Sequence, residues 1–74
     1  MREITIRDEF IRLGQSLKLS GIASTGVEAK YMIEDGLVTV NDNAENRRGR
    51  KLYPGDIVKV STDSGRDEFV VKSL

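Results

Sequence analysis

Cysteine and histidine are both absent from this 74-residue chain, and so is tryptophan. Without cysteine there is no disulfide staple and no thiolate-bound zinc. Without histidine the commonest general base and the commonest metal ligand are gone, which excludes a catalytic triad and a histidine-based metal site. No apolar run approaches the ~20 residues that span a bilayer. The first ten residues, MREITIRDEF, lack the apolar stretch of a signal peptide. Together these absences favour the cytoplasm and no membrane. Net charge is missing too, since 12 basic residues face 12 acidic ones. What is present, 38% hydrophobic and 32% charged residues, suits one soluble globular domain over 1–74. A chain this short buries only about 60% of its unfolded surface, so its core is small.

The period of the apolar residues gives the elements. Ile4 and Ile6 alternate with polar neighbours and Thr5 is β-branched, so 3–7 reads as a strand, whereas DEFIR (8–12) is ambiguous. Leu13 and Leu17 lie four apart on one helical face, and Gly21 is a natural stop, which predicts a short helix over about 13–20. Thr25 followed by Glu28 fits a capping box. Ala29, Met32 and Ile33 then form an apolar stripe that ends at Gly36. Val38 and Val40 mark a strand that runs into an Asn-Asp turn, where Asn41 serves the turn. Pro54-Gly55 is a turn before the alternating strand that ends at Val60. Residues 63–65 turn a hairpin into a closing strand over 67–73. Leu13, Leu17, Ala29 and Ile33 are the expected helical core. The order of elements implies an α+β domain, two short helices packed on a small, mostly antiparallel sheet.

The charge is segregated. Residues 31–46 carry Glu34, Asp35, Asp42 and Glu45 and no cation, while Arg47, Arg48, Arg50 and Lys51 surround Gly49 immediately after them. The segment 46–51 has almost no apolar content and reads as a loop held by Leu52. Four cations fixed on one loop repel one another unless an anionic partner or the acidic stretch compensates. Arginine forks match phosphate bidentately, so three arginines to one lysine lean towards phosphate recognition. Tyr31 and Tyr53 read first as core or rim residues.

The spacing over 12–60 resembles the S4 RNA-binding domain. Arg12-Leu13 opens a helix closed by Gly21. Ala29, Met32-Ile33, Gly36, Val38, Val40 and Asn41 occupy the family's next positions, and Gly55-Asp56-Ile57 introduces the apolar strand. The combination of LGQ.LKL.G with RRGRKL.PGD is similar to the stand-alone S4-like proteins of the YaaA type, which are short bacterial proteins. The resemblance implies the S4-type (alpha-L) fold and a non-enzymatic module that recognises structured RNA, ribosomal RNA or a ribosome-assembly particle, as a monomer and with no cofactor. It also implies a basic surface from Arg12 and Lys18 of the first helix, Thr25, Gly26 and Lys30 of the second, and Arg47, Arg48, Arg50 and Lys51 of the loop. The family's Ser-Arg pair falls here on Thr25-Gly26, so that arginine is missing and a Gly26 N–H is left to meet a phosphate oxygen. A protein-interaction adaptor, its basic loop docked on an acidic partner, is the alternative reading.

Overall fold

The structure, a computed structural model, describes residues 1–74. Strand β1 (Arg2–Ile6) and the short β2 (Ile11–Arg12) precede helices α1 (Leu13–Leu19) and α2 (Gly26–Glu34). Then come β3 (Val38–Val40), β4 (Asn43–Ala44), β5 (Lys51–Leu52), β6 (Ile57–Thr62) and β7 (Gly65–Ser73). Five strands form one sheet in the order β1-β7-β6-β3-β4, and β2 pairs with β5 in a separate ladder. Only β1 and β7 run parallel, which places the first and last strands side by side. All other pairings are antiparallel. The predicted α+β architecture and all its main elements are found. The ambiguous segment 8–12 ends in β2, and Lys51, expected in the loop, belongs to β5.

Side chains alternate across the sheet, so each strand commits every second residue to one face. Ile4 and Ile6, Val38 and Val40, Val58 and Val60, and Phe69 and Val71 are all buried. The register places Ile4 beside Val71, Val58 beside Phe69 and Val38 beside Val60, so inward residues meet as cross-strand neighbours. The helices cover this face with Leu13, Leu17, Ala29 and Ile33, each 0% exposed. These are the four expected from their helical spacing. Thr25 caps α2 as its sequence predicts, its hydroxyl accepting the Glu28 N–H at 3.0 Å. The Glu28 carboxylate reaches one residue further back than a capping box requires and takes the Ser24 hydroxyl at 2.9 Å, because that serine offers an extra donor. At the other end Gly36, at φ +77°, lets its own N–H and that of Leu37 return to the carbonyls of Ile33 and Met32.

Two of the polar residues that carry the family resemblance hold the fold together. Asn41 and Asp42 sit at φ 52° and 69°, the left-handed conformation of a tight hairpin turn between β3 and β4. The Asn41 amide donates to Asp56 Oδ1 at 3.0 Å while its carbonyl oxygen accepts the Ile57 N–H at 2.9 Å. The other carboxylate oxygen of Asp56 accepts the Tyr53 N–H across the Pro54-Gly55 turn at 2.8 Å. One side-chain pair thus locks two turns 15 residues apart. Asn41→Ala removes both bonds and leaves an alanine in a left-handed position. The expected cost is about 1.5 kcal/mol in urea unfolding at neutral pH.

Candidate nucleic-acid interface

The basic loop is placed by backbone hydrogen bonds. Helix α1 begins without a side-chain cap, since Arg12 stands at the N-cap position. The first N–H groups of a helix need acceptors, and here the loop supplies them. Leu13 N–H donates to the Arg50 carbonyl at 2.8 Å, and Gly14 N–H donates to the Arg48 carbonyl at 3.0 Å. The β2–β5 ladder, Ile11 opposite Leu52 and Arg12 opposite Lys51, adds a second attachment, and Leu52 is fully buried. Gly14 explains how the loop comes so close. A Cβ built there would lie 2.7 Å from Arg48 Cγ and 3.6 Å from the Arg48 carbonyl oxygen, so a side chain would have to displace that of Arg48. Glycine inside a helix costs roughly 1 kcal/mol against alanine, and the close approach is what that residue type permits.

Glu45 divides the four loop cations into two kinds. It is buried, 6% exposed, and binds Arg47 Nε at 3.0 Å and Arg50 Nη1 at 2.8 Å while also accepting the Arg47 backbone N–H. Hydrogen bonds from Arg47, then from Arg50, hold its carboxyl at a pKa of about 2. The same bond raises the pKa of Arg47. Arg48 and Lys51 have no carboxylate partner, because the protein's ion pairs involve only Arg2, Arg47, Arg50 and Lys59 among its cations. Of the two ways expected to relieve repulsion among the four cations, the acidic stretch supplies one for Arg47 and Arg50. The acidic stretch sends one residue under the loop and compensates half of it.

The remaining cations converge with those of helix α1. Arg12, Lys18 and Arg48 surround a cavity of 230 Å³ together with Gly14, Gln15 and Gly26, and no carboxylate lines it. We refer to it as the cradle. Gly26 stands where the second helix opens onto it, and a Cβ built there would lie 4.0 Å from Lys18 Cδ. Arg12 also borders a second, shallower concavity with Arg47, Gly49, Arg50 and Lys51, so the two form one continuous basic surface. Arg12 donates to the Gly49 carbonyl at 2.8 Å, which fixes it between them. Its guanidinium lies 5.5 Å from the centre of the Phe10 ring, and Lys51 Nζ lies 4.8 Å from it. An aromatic face attracts both cations and eases the repulsion between residues directly opposite in the ladder.

Of the residues singled out in the sequence, Arg12, Lys18, Gly26 and Arg48 share the cradle, and Arg47, Arg50 and Lys51 share the concavity beside it. Thr25 is committed to its cap, and Lys30 is exposed on α2 and lines neither hollow. Sequence reasoning missed Gly14, Gln15 and Phe10, and it named Glu45 only as one of four carboxylates that could pair with the loop. Only Gly14 left a signal, a glycine in the first turn of a helix. The others are joined to the site by contacts across the ladder or under the loop.

This arrangement of two helices, a curled basic loop and a five-stranded sheet defines the S4 class, and the chain belongs to that family: the S4 domain model matches residues 4–66. Among curated proteins it is similar to the "Probable ribosome maturation protein RlbA" of Bacillus subtilis (strain 168), 49% identical over 57 residues. That match covers 77% of this chain and 80% of the relative. It is also similar to the small ribosomal subunit protein uS4 of Wolbachia sp. subsp. Drosophila simulans (strain wRi), 36% identical over 62 residues. There the match covers 84% of this chain but 30% of the relative. The uS4 of Wolbachia sp. subsp. Brugia malayi (strain TRS) is 35% identical over 63 residues, again across 31% of its length.

Proposed function

We propose that this protein is a non-enzymatic RNA-binding module that recognises structured RNA, ribosomal RNA or a ribosome-assembly particle, through the surface made by α1, the start of α2 and the loop 47–51. The observation that carries this reading is the cradle. Three cations from two separated segments meet there around a hollow free of carboxylates, and none of them has an ion-pair partner. Exposed cations held together in this way favour a polyanion. The two kinds of relative, one described as a ribosome maturation protein and the other a ribosomal protein, support the choice of RNA. A duplex RNA offers phosphates and 2′-hydroxyls to such a surface, because its deep, narrow major groove excludes side chains. Arg12, Lys18 and Arg48 take phosphates in this reading, and Lys51 takes another beside them. Gly26 provides room and an N–H where other S4 domains place an arginine. Arg47 and Arg50 already share a carboxylate and contribute less, and Lys30 adds long-range attraction from α2.

Four unpaired cations, Arg12, Lys18, Arg48 and Lys51, imply a definite salt dependence. Log K for a structured ribosomal RNA hairpin plotted against log salt is expected to fall with a slope of about −3. Titrations followed by anisotropy between low and physiological salt measure it. A slope near zero would remove the electrostatic basis of the proposal.

A further inference from the structure

The largest hollow of the molecule lies beside the cradle and has a different chemistry. It is a groove of 630 Å³ between the end of β1 and helix α1, with Ile6, Phe10, Ile11 and Leu19 as its apolar lining. Gln15 and Lys18 line both hollows, so they form the ridge between them. Leu19, 59% exposed, is the one residue of the groove among the exposed large apolar side chains. The cradle has three cations and no carboxylate, whereas the groove carries Asp8 together with Arg7 and Lys18. A phosphate is thus favoured more strongly in the cradle than in the groove.

We propose that the groove receives a single unpaired nucleobase of the RNA whose backbone phosphate rests in the cradle. A nucleotide has this polarity, an anionic phosphate joined to a flat, largely apolar base with hydrogen-bonding edges. The groove's volume falls in the range of preformed ligand sites. Its lining, four apolar residues beside five polar or charged ones, offers surface to bind a base and groups to orient it. Unpaired bases in bulges and loops are the parts of an RNA that proteins read individually, commonly by stacking on aromatic and apolar side chains. Ile6, Ile11 and Leu19 supply apolar surface beside the Phe10 ring that Arg12 and Lys51 also approach, and the Gln15 amide on the ridge can donate to and accept from a base edge. The proposal rests on the RNA-binding reading above and adds a preference to it: a helix interrupted by a bulge is bound in preference to an uninterrupted one.

Three RNA hairpins test this: a fully paired stem, the same stem with a one-nucleotide bulge, and that bulge with its base removed to leave an abasic sugar. The intact bulge is expected to bind about tenfold tighter than the abasic one. Leu19→Ser, at an exposed groove position outside the cradle, is expected to erase most of that difference while the fully paired stem binds as before. Equal affinity for intact and abasic bulges would overturn the inference, and so would a difference that Leu19→Ser leaves intact. Failure of all three hairpins to bind in a salt-dependent way would overturn the RNA-binding reading itself, a result the hairpin comparison keeps distinct.

Discussion

Replacing Arg12, Lys18 and Arg48 together with alanine is expected to weaken binding to a structured RNA about 100-fold at 0.15 M salt and to leave the protein folded. Each cation that meets a phosphate releases about one counterion, worth about 1 kcal/mol at that salt concentration, so three removed at once give about 3 kcal/mol. The slope of log K against log salt is expected to flatten to about −1, since Lys51 alone of the unpaired set remains. None of the three makes an ion pair whose loss would destabilise the fold. The main structural cost is the Arg12 bond to the Gly49 carbonyl. Arg47→Ala with Arg50→Ala makes the informative comparison. Both arginines are close to the same loop but share Glu45, so their loss is expected to cost stability more than affinity. Equal loss of affinity from the two sets of substitutions would show that the ion pairs do not separate the loop cations by function. Circular dichroism melts alongside the titrations distinguish unfolding from lost contact.

Glu45→Gln is expected to lower stability by about 2 kcal/mol at pH 7, roughly a 10 °C fall in melting temperature for a domain of this size. The glutamine keeps the shape but loses the charge that two guanidinium groups and a backbone N–H are arranged around. The value is smaller than for a wholly buried pair because Arg47 is 71% exposed on its side-chain surface, where solvent screens the attraction. The pH dependence follows from the lowered carboxyl pKa. Unfolded, Glu45 titrates at its ordinary value of 4.5, and folded at about 2. The stabilisation is therefore complete above about pH 5 and is lost progressively as the pH falls towards 2. Wild type and Glu45→Gln are expected to differ most at neutral pH and to converge on acidification. A constant difference from pH 7 to pH 3 would show that the carboxylate's charge does not hold the loop. The same variant releases Arg47 and Arg50, so its salt slope with RNA is expected to steepen even as its stability drops.

The secondary structure was legible because it depends on short-range patterns. The i, i+4 pair Leu13 and Leu17, the Thr25 cap, the stop at Gly36 and the valines alternating through β3 and β6 each occupy a few consecutive residues. Their physical causes, helical and pleated periodicity and capping, act over the same distance. β2 was not legible: two residues cannot display a period, and they form a strand only because Lys51 and Leu52 arrive beside them. In the site, residue type was legible and relation was not. A cluster of arginines marks a basic surface in any arrangement, but nothing local distinguishes Arg48 from Arg47.

The sequence by itself determined the α+β class, the core residues, the turns and the gathering of cations after an acidic stretch, because each follows from the order and spacing of neighbours. Tertiary structure decided which cations are free to bind. Glu45 lies two residues from Arg47 and five from Arg50, yet it is the closure of the loop onto the start of α1 that buries its carboxylate beneath both. That closure depends on hydrogen bonds 34 to 37 residues apart in the chain, and Gly14 leaves room for the Arg48 side chain beside it. The cradle arises in the same way, from Arg12 and Lys18 on one segment meeting Arg48 on another. Coulomb energy depends on distance in space, and distance in space is set only when the chain has folded.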